Sequence, residues 1–170
     1  MEYGIGLGSN MGDRMQALAQ AAARIARLPD VRILARSAVY ETEPVGAQPE
    51  FRHLLFLNAV LVAESAASPD IFAASLRAIE TEIGRVRQAD RNAPRVVDID
   101  LIYAGNSATE TERLALPHPR WAERRFVVAP LADVRPDLVL PGQTRCVSAI
   151  LADLPARPTV VRFGPFPNAE

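Results

Sequence analysis

Residues 96–102 read Val-Val-Asp-Ile-Asp-Leu-Ile. Apolar β-formers enclose Asp98 and Asp100, which predicts a mostly buried strand. Successive side chains of a strand point to opposite faces, so the two aspartates share one face, with Cα atoms roughly 6.6 Å apart. Two carboxylates on such a strand are costly unless a cation or dense hydrogen bonding compensates them. Oxygen-only ligands favour Mg²⁺, which takes one or two carboxylates and completes its shell with water and phosphate oxygens.

Just upstream stand Arg85, Arg87, Arg91 and Arg95. The guanidinium fork matches phosphate geometry, so strand and loop together point to a Mg²⁺-nucleotide site for phosphoryl or pyrophosphoryl transfer. The bland alternative is a chance Asp-x-Asp beside a solvated basic face.

Composition narrows the classes. The 170 residues suggest one domain, 49% of them hydrophobic and 23% charged, as in ordinary globular chains. A net charge of −1 argues against a general nucleic-acid binder. Every basic residue other than histidine is arginine, so Schiff-base and Walker-type lysine chemistry is excluded. The single cysteine, Cys146, permits no internal disulfide and reads as an apolar filler. The N-terminus carries no signal-peptide pattern and no run of roughly 18 apolar residues occurs, so we expect no membrane partner and a cytoplasmic location.

Along the chain, Tyr3–Leu7 predicts a first strand whose glycines Gly4, Gly6 and Gly8 admit close packing of a helix or backbone; Gly6-Leu-Gly8-Ser9-Asn10 is a weaker phosphate-loop candidate. Asp13 and Gln16 form a capping-box-like start to a helix bearing Met15, Leu18, Ala22 and Ile25. Val31–Tyr40 alternates as a second strand, followed by a turn-rich loop from Thr42 through Pro44 and Val45 to Pro49. Leu54–Ala63 predicts a central strand with Phe56 and Asn58 on one face, an arrangement that suits either a flat heterocycle or an ordinary core. Ser68-Pro69 starts a helix with the stripe Phe72, Leu76, Ile79, Ile83, ended by Gly84. With the aspartate strand, the order is β-α-β-β-α-β, an α+β ferredoxin-like core with an antiparallel sheet and both helices on one face. Beyond it we expect a turn at Gly105-Asn106, a strand within Thr109–Leu116, a short helix or turn near Trp121–Arg125, the apolar run Phe126-Val-Val-Ala-Pro-Leu, and one short helix within Val139–Leu151. These extra C-terminal elements complete a domain over residues 1–154. Residues 155–170 read as a proline-rich tail, extended or partly disordered.

The run Arg91-Asn-Ala-Pro-Arg95-Val-Val-Asp98-Ile-Asp100-Leu-Ile closely resembles the signature of the 6-hydroxymethyl-7,8-dihydropterin pyrophosphokinases, enzymes of folate biosynthesis. The resemblance recurs at Gly6-Leu-Gly8-Ser9-Asn10, Tyr40-Glu-Thr42-Glu-Pro44-Val-Gly46, Phe56-Leu-Asn58-Ala, Glu80 with Gly84-Arg85-Val-Arg87, and Arg113-Leu-Ala-Leu-Pro117-His118. It implies a ferredoxin-like enzyme that moves pyrophosphate from ATP to the hydroxymethyl group of the pterin and releases AMP. On the matching positions it implies that Asp98 and Asp100 hold two Mg²⁺ ions. Arg85 and Arg95 would close over the triphosphate, with Arg87 assisting. Glu80, Ile99, Arg113, His118 and Arg124 would lie at the nucleotide. Phe56 and Phe126 would sandwich the pterin, Asn58 would bond its edge, and the Thr42, Pro44 and Val45 segment would complete the pocket, with Ser9 and Asn10 in the cleft wall. Departures from the family pattern include Gln88, Asn92, Phe56 in place of a tyrosine found in some members, Pro119 after His118, and a longer approach to Phe56. We expect a monomer acting on small molecules, with no nucleic-acid partner. The rival classes are a nucleotide- or nucleic-acid-binding ferredoxin-like module, disfavoured by acidity and 6% aromatic content, and a catalytically silent relative, disfavoured by the intact aspartates and arginines.

Overall fold

The computed structural model describes residues 1–84 and 94–167. The strands and helices run in the order β1 (Glu2–Ser9), α1 (Arg14–Ala26), β2 (Arg32–Arg36), β3 (Val39–Thr42), β4 (Phe56–Glu64), α2 (Pro69–Ile83), β5 (Asp98–Ala104), β6 (Thr109–Glu110), β7 (Ala115–Leu116), α3 (Arg125–Val134), α4 (Val147–Asp153) and β8 (Val160–Gly164). One six-stranded sheet has the order β5-β1-β4-β3-β8, with β2 also on β4, and every pairing is antiparallel. Taking β2 and β3 together as one strand, this is the expected ferredoxin-like arrangement.

Local chemistry sets the first layer. The Asp13 carboxylate accepts the Gln16 N–H at 3.0 Å and starts α1, satisfying one of the helix's orphan donors. Pro69 opens α2 and Gly84, at φ 107°, ends it. Ser68 takes the N-cap position, but it has no side-chain capping bond; its carbonyl accepts from Phe72 instead. Apolar residues at helical spacing turn one face of each helix onto the sheet. Leu18, Ile25, Phe72 and Leu76 bury against Ile5, Leu7, Leu57 and Leu61, and Phe72 stacks on Tyr3 with ring centroids 4.2 Å apart. Full burial of such a side chain is worth about 1.5–3 kcal/mol.

Several expectations need correction. The single strand over Val31–Tyr40 is two strands, broken at Ser37 and Ala38. Ser37 Oγ accepts the Val60 N–H at 2.8 Å and donates to the Ala38 carbonyl at 2.7 Å, so a hydroxyl enters the ladder and shifts its register. Thr109–Leu116 is a small hairpin of β6 and β7. The apolar run from Phe126 is helical, with Pro130 inside α3. Helices therefore cover both faces. α1 and α2 share one face as expected, while α3 and α4 pack Val128, Leu131, Val147 and Ile150 against Val60, Ile102 and Tyr103 on the other. The segment read as a tail carries β8, paired with β3 at the sheet edge.

Candidate active site

A row of residues crosses the sheet in register. Asp98 of β5 lies opposite Gly8 of β1, Gly8 opposite Asn58 of β4, and Asn58 opposite Tyr40 of β3; Asp100 lies opposite Gly6, and Gly6 opposite Val60. Opposed residues of an antiparallel pair share a face. Asp98, Asp100 and Asn58 thus stand together on the face away from α1 and α2. The glycines between them keep a trough open. A Cβ on Gly8 would come 2.9 Å from Asn58 Oδ1 and 3.8 Å from Asp98 Cβ. The glycine face admits neighbouring side chains rather than a helix or backbone. At Gly4 the Tyr103 ring fills the space, 2.0 Å from where a Cβ would sit.

The rest of this face lies under α3, whose first turn walls the trough. Asp98, Asp100, Asn58 and Val60 form the floor of a cleft of about 430 Å³, open to solvent, and His118, Trp121, Arg124 and Phe126 form its wall.

Polar groups in the cleft are tied down. Asn58 Nδ2 donates to Thr42 Oγ1 at 2.7 Å, and both residues are buried, leaving the amide oxygen beside Gly8. Arg95 Nη1 lies 3.1 Å from Asp98 Oδ2, with both side chains largely covered. The Arg95 guanidinium also sits 5.8 Å from the centre of the Phe56 ring. Its backbone is clamped by Asn10: the Arg95 N–H donates to Asn10 Oδ1 at 2.8 Å, and the Asn10 N–H donates to the Arg95 carbonyl at 3.2 Å. Asn10 thereby joins β1 to the entry of β5. Ser9, opposite Leu57, lies on the helix side and is not part of the cleft lining.

Arg124 stands 5.6 Å from the Phe126 ring centre. Burial pushes its pKa down, as does neighbouring Arg120, while Asp100 and Asp98 oppose the shift. Burial also lowers the pKa of His118, assisted by the Arg124 charge. His118 Nδ1 accepts the Arg120 N–H at 3.1 Å. A neutral imidazole accepts with one nitrogen and donates with the other, so Nε2–H is the donor left for the cleft.

The expected site residues divide by position. Asp98, Asp100, Asn58, His118, Arg124 and Phe126 line the cleft, and Phe56, opposite Thr42 at the start of β4, adjoins it. Pro44 and the exposed Val45 lie on the loop after β3. Glu80 and Ile99 lie on the other side of β5. Glu80 is buried, and its Oε1 accepts the Ile99 N–H at 2.6 Å; the Ile99 side chain packs in the α1/α2 core, so neither its side chain nor its N–H faces the cleft. Arg113 occupies the turn of the β6–β7 hairpin, outside the lining. Arg85 and Arg87, with Gln88 and Asn92, fall outside the described residues. Sequence reasoning gave Trp121 no role, although it lines the wall and is nearly fully buried. Its position as the sole tryptophan, between Arg120 and Arg124 and soon after His118, was the available signal.

Among the described residues no group of three or more His, Cys, Asp and Glu side chains converges as a metal cage. Two carboxylates with open positions suit Mg²⁺, which keeps waters and takes phosphate oxygens; zinc in a structural site would require more protein ligands.

A ferredoxin-like sheet with paired carboxylates, arginines and an aromatic-flanked amide around one cleft is the layout of an enzyme domain that handles phosphates. A model of the 7,8-dihydro-6-hydroxymethylpterin-pyrophosphokinase family matches residues 4–136. The 2-amino-4-hydroxy-6-hydroxymethyldihydropteridine pyrophosphokinase of Methylorubrum extorquens is 41% identical over 140 residues, covering 82% of this chain and 86% of the relative. That of Bacillus subtilis is 39% identical over 130 residues, covering 76% and 75%. The chain belongs to the 7,8-dihydro-6-hydroxymethylpterin-pyrophosphokinase family, as the motifs implied. In fold it is similar to an HPPK-DHPS chain solved with substrates, at TM-score 0.66 and 12% identity, and to wild-type Plasmodium falciparum HPPK-DHPS, at TM-score 0.64 and 12% identity. It covers 89% of itself in both matches but only 43% and 44% of those solved chains, so it spans less than half their length.

Proposed function

We propose that the cleft binds ATP and 6-hydroxymethyl-7,8-dihydropterin side by side and transfers the terminal pyrophosphate of ATP to the pterin hydroxymethyl group, giving the pterin diphosphate and AMP in folate biosynthesis. The observation that carries this reading is the row Asp98–Gly8–Asn58. It puts a phosphate-side carboxylate and a heterocycle-side amide on one face, separated only by a glycine.

Each side chain then has a task. The Asn58 amide, fixed by Thr42, bonds the edge of the pterin, while Phe56 and Phe126 take its faces. The loop through Pro44 and Val45 closes the pterin side. Asp98 and Asp100 hold Mg²⁺, for which we infer two ions; bound there, magnesium neutralises polyphosphate charge and polarises the reacting oxygens. His118, Arg124 and Arg95 grip phosphate oxygens, with Arg85 and Arg87 from the preceding segment, while Glu80 and Ile99, behind β5, and Arg113, on the β6–β7 turn, would border the nucleotide from outside the cleft lining. The hydroxymethyl oxygen attacks the β-phosphorus in line, its proton leaves, and the bond to the α,β-bridging oxygen breaks to release AMP. Positioning and charge stabilisation supply most of the acceleration in such transfers, so no strong base is required. The reaction needs small molecules alone, and the chain is proposed to work as a cytoplasmic monomer without nucleic-acid partners. Among the described residues no helix is long and apolar enough to cross a membrane.

Phosphorus NMR of the purified chain with ATP, Mg²⁺ and the pterin tests the reading. AMP with a new pterin diphosphate signal is expected. ADP with a monophosphorylated pterin would refute the transfer, and a folded but inert sample would favour the silent-relative reading.

A further inference from the structure

The family match ends at residue 136, yet the chain beyond it returns to the sheet and adds β8 along β3. β8 runs antiparallel to β3, with Arg162 opposite Tyr40, Val161 opposite Glu41 and Val160 opposite Thr42. Past the end of that ladder the contact continues onto the loop. The Glu43 N–H donates to the Thr159 carbonyl at 3.3 Å. The Thr159 N–H donates to Glu43 Oε2 at 2.9 Å. Arg157 Nη1 lies 3.9 Å from Glu43 Oε1. Glu43 is thus held by backbone and carboxylate together, between Thr42, whose hydroxyl accepts from Asn58, and Pro44 and Val45.

A strand that merely closed the sheet would need only its ladder. The carboxylate bond from Thr159 instead fixes the first residue of a turn-rich loop, residues 43–48. Ordering a backbone residue costs conformational entropy, and a loop ordered before its ligand arrives spares binding that cost. We propose that Glu43 and the C-terminal segment Arg157–Gly164 form a brace that holds the loop in its substrate-receiving position, making Glu43 a positioning residue for pterin binding. The inference rests on the reading that the Thr42–Val45 segment meets the pterin.

The test is steady-state kinetics on the full chain, with hydrogen–deuterium exchange of residues 43–48. Glu43→Ala is expected to raise the pterin KM roughly five- to ten-fold, the scale of one hydrogen bond lost at a partly exposed side chain, with kcat and the ATP KM held within about two-fold, and to speed exchange in the loop. Glu43→Gln keeps an acceptor for the Thr159 N–H and is expected to recover most of the loss. An unchanged pterin KM with unchanged exchange overturns the brace, as does a parallel loss in pterin KM, ATP KM and kcat, which would mark general loosening. Asn58→Ala separates the two readings. If it raises the pterin KM and Glu43→Ala does not, the brace alone fails; if Asn58→Ala also leaves the pterin KM unchanged, the pterin placement fails and takes the brace with it.

Discussion

Arg95 and Asp98 face one another across 3.1 Å, Nη1 against Oδ2, with both side chains mostly withdrawn from water. The arginine expected to grip phosphate thus already pairs with the carboxylate expected to hold magnesium. A cation bound at Asp98 has to compete with the guanidinium, and nearby like charges repel more strongly where water is scarce. Arg95→Ala should therefore bind divalent metal more tightly in the absence of nucleotide, by roughly three- to ten-fold, while losing turnover by about 100-fold or more through the missing phosphate contact. Mn²⁺ titration followed by electron paramagnetic resonance measures the first effect. Weaker or unchanged metal binding in the variant would show that the pair does not oppose the metal.

Gly8 lies between the phosphate and pterin sides of the row. An alanine there would place its Cβ 2.9 Å from Asn58 Oδ1, and the amide is held by Thr42 at 2.7 Å. It cannot yield without loosening that bond. Gly8→Ala should lower stability by about 1–2 kcal/mol, the scale of modest overpacking, and raise the pterin KM about ten-fold. Gly6→Ala is the control, because its Cβ would meet Ile102 at an ordinary 3.5 Å and stability should shift by no more than about 0.5 kcal/mol. Equal unfolding midpoints for the two variants in urea would contradict the crowding argument.

The site was legible in the sequence where local pattern and chemistry coincide. Asp98 and Asp100 stand out because carboxylates rarely interrupt a β-forming run, and the alternation that paired Phe56 with Asn58 is a property of any strand. Caps at Asp13 and Gly84 marked the helices for the same local reason. What escaped depends on distant partners. Ser37 fits an alternating strand until Val60 supplies an N–H to its hydroxyl. The run from Phe126 has no clear period and holds Pro130, which disfavours a helix by propensity, but Val128 and Leu131 gain a second core against Val60 and Ile102, and tertiary packing outweighs propensity. β8 lies among prolines and becomes a strand only because β3 offers a free edge. Glu80 was placed at the nucleotide by its motif, and nothing local foretold its bond to the Ile99 N–H.

Outside the cleft, Glu2 ties β1 to the end of α3. Its carboxylate accepts from Arg135 Nη2 at 2.7 Å and from the Tyr103 hydroxyl at 2.7 Å. The Arg135 bond holds its pKa below the ordinary 4.5, against the opposing effect of burial, and the Tyr103 bond lowers it further. A depressed carboxylate pKa gives stability that is present above the unfolded value and lost as pH falls through the folded one. Both side chains remain near a third exposed, so solvent screening keeps the contribution to about 0.5–1 kcal/mol. Glu2→Gln should lose that amount at pH 7 and flatten the decline of stability below pH 4.5. Urea unfolding across the acid range checks it; an acid limb as steep as the parent's would rule out this pair as a source of the pH dependence.

His118 supplies the opposite sign on the ligand side. Burial, then the Arg124 charge, lowers its pKa from the ordinary 6.5, so the free chain holds it neutral near pH 7 with Nδ1 accepting from Arg120. A polyphosphate beside the ring would offset the arginine charges and favour the imidazolium, raising the pKa in the complex. Binding would then take up a proton, and affinity would rise as pH falls through the interval between the free and bound values, up to about ten-fold for each unit separating them. ATP itself titrates in this range, so the informative quantity is the difference in slope between the parent and His118→Gln, measured by calorimetry from pH 8 to pH 5.5. A steeper slope in the parent, with nitrogen NMR placing the proton on Nε2 in the free chain, fits a phosphate-facing His118. Identical slopes would mean that the ring does not sense the phosphates, and the nucleotide would then have to be held by Arg124 and its arginine neighbours without it.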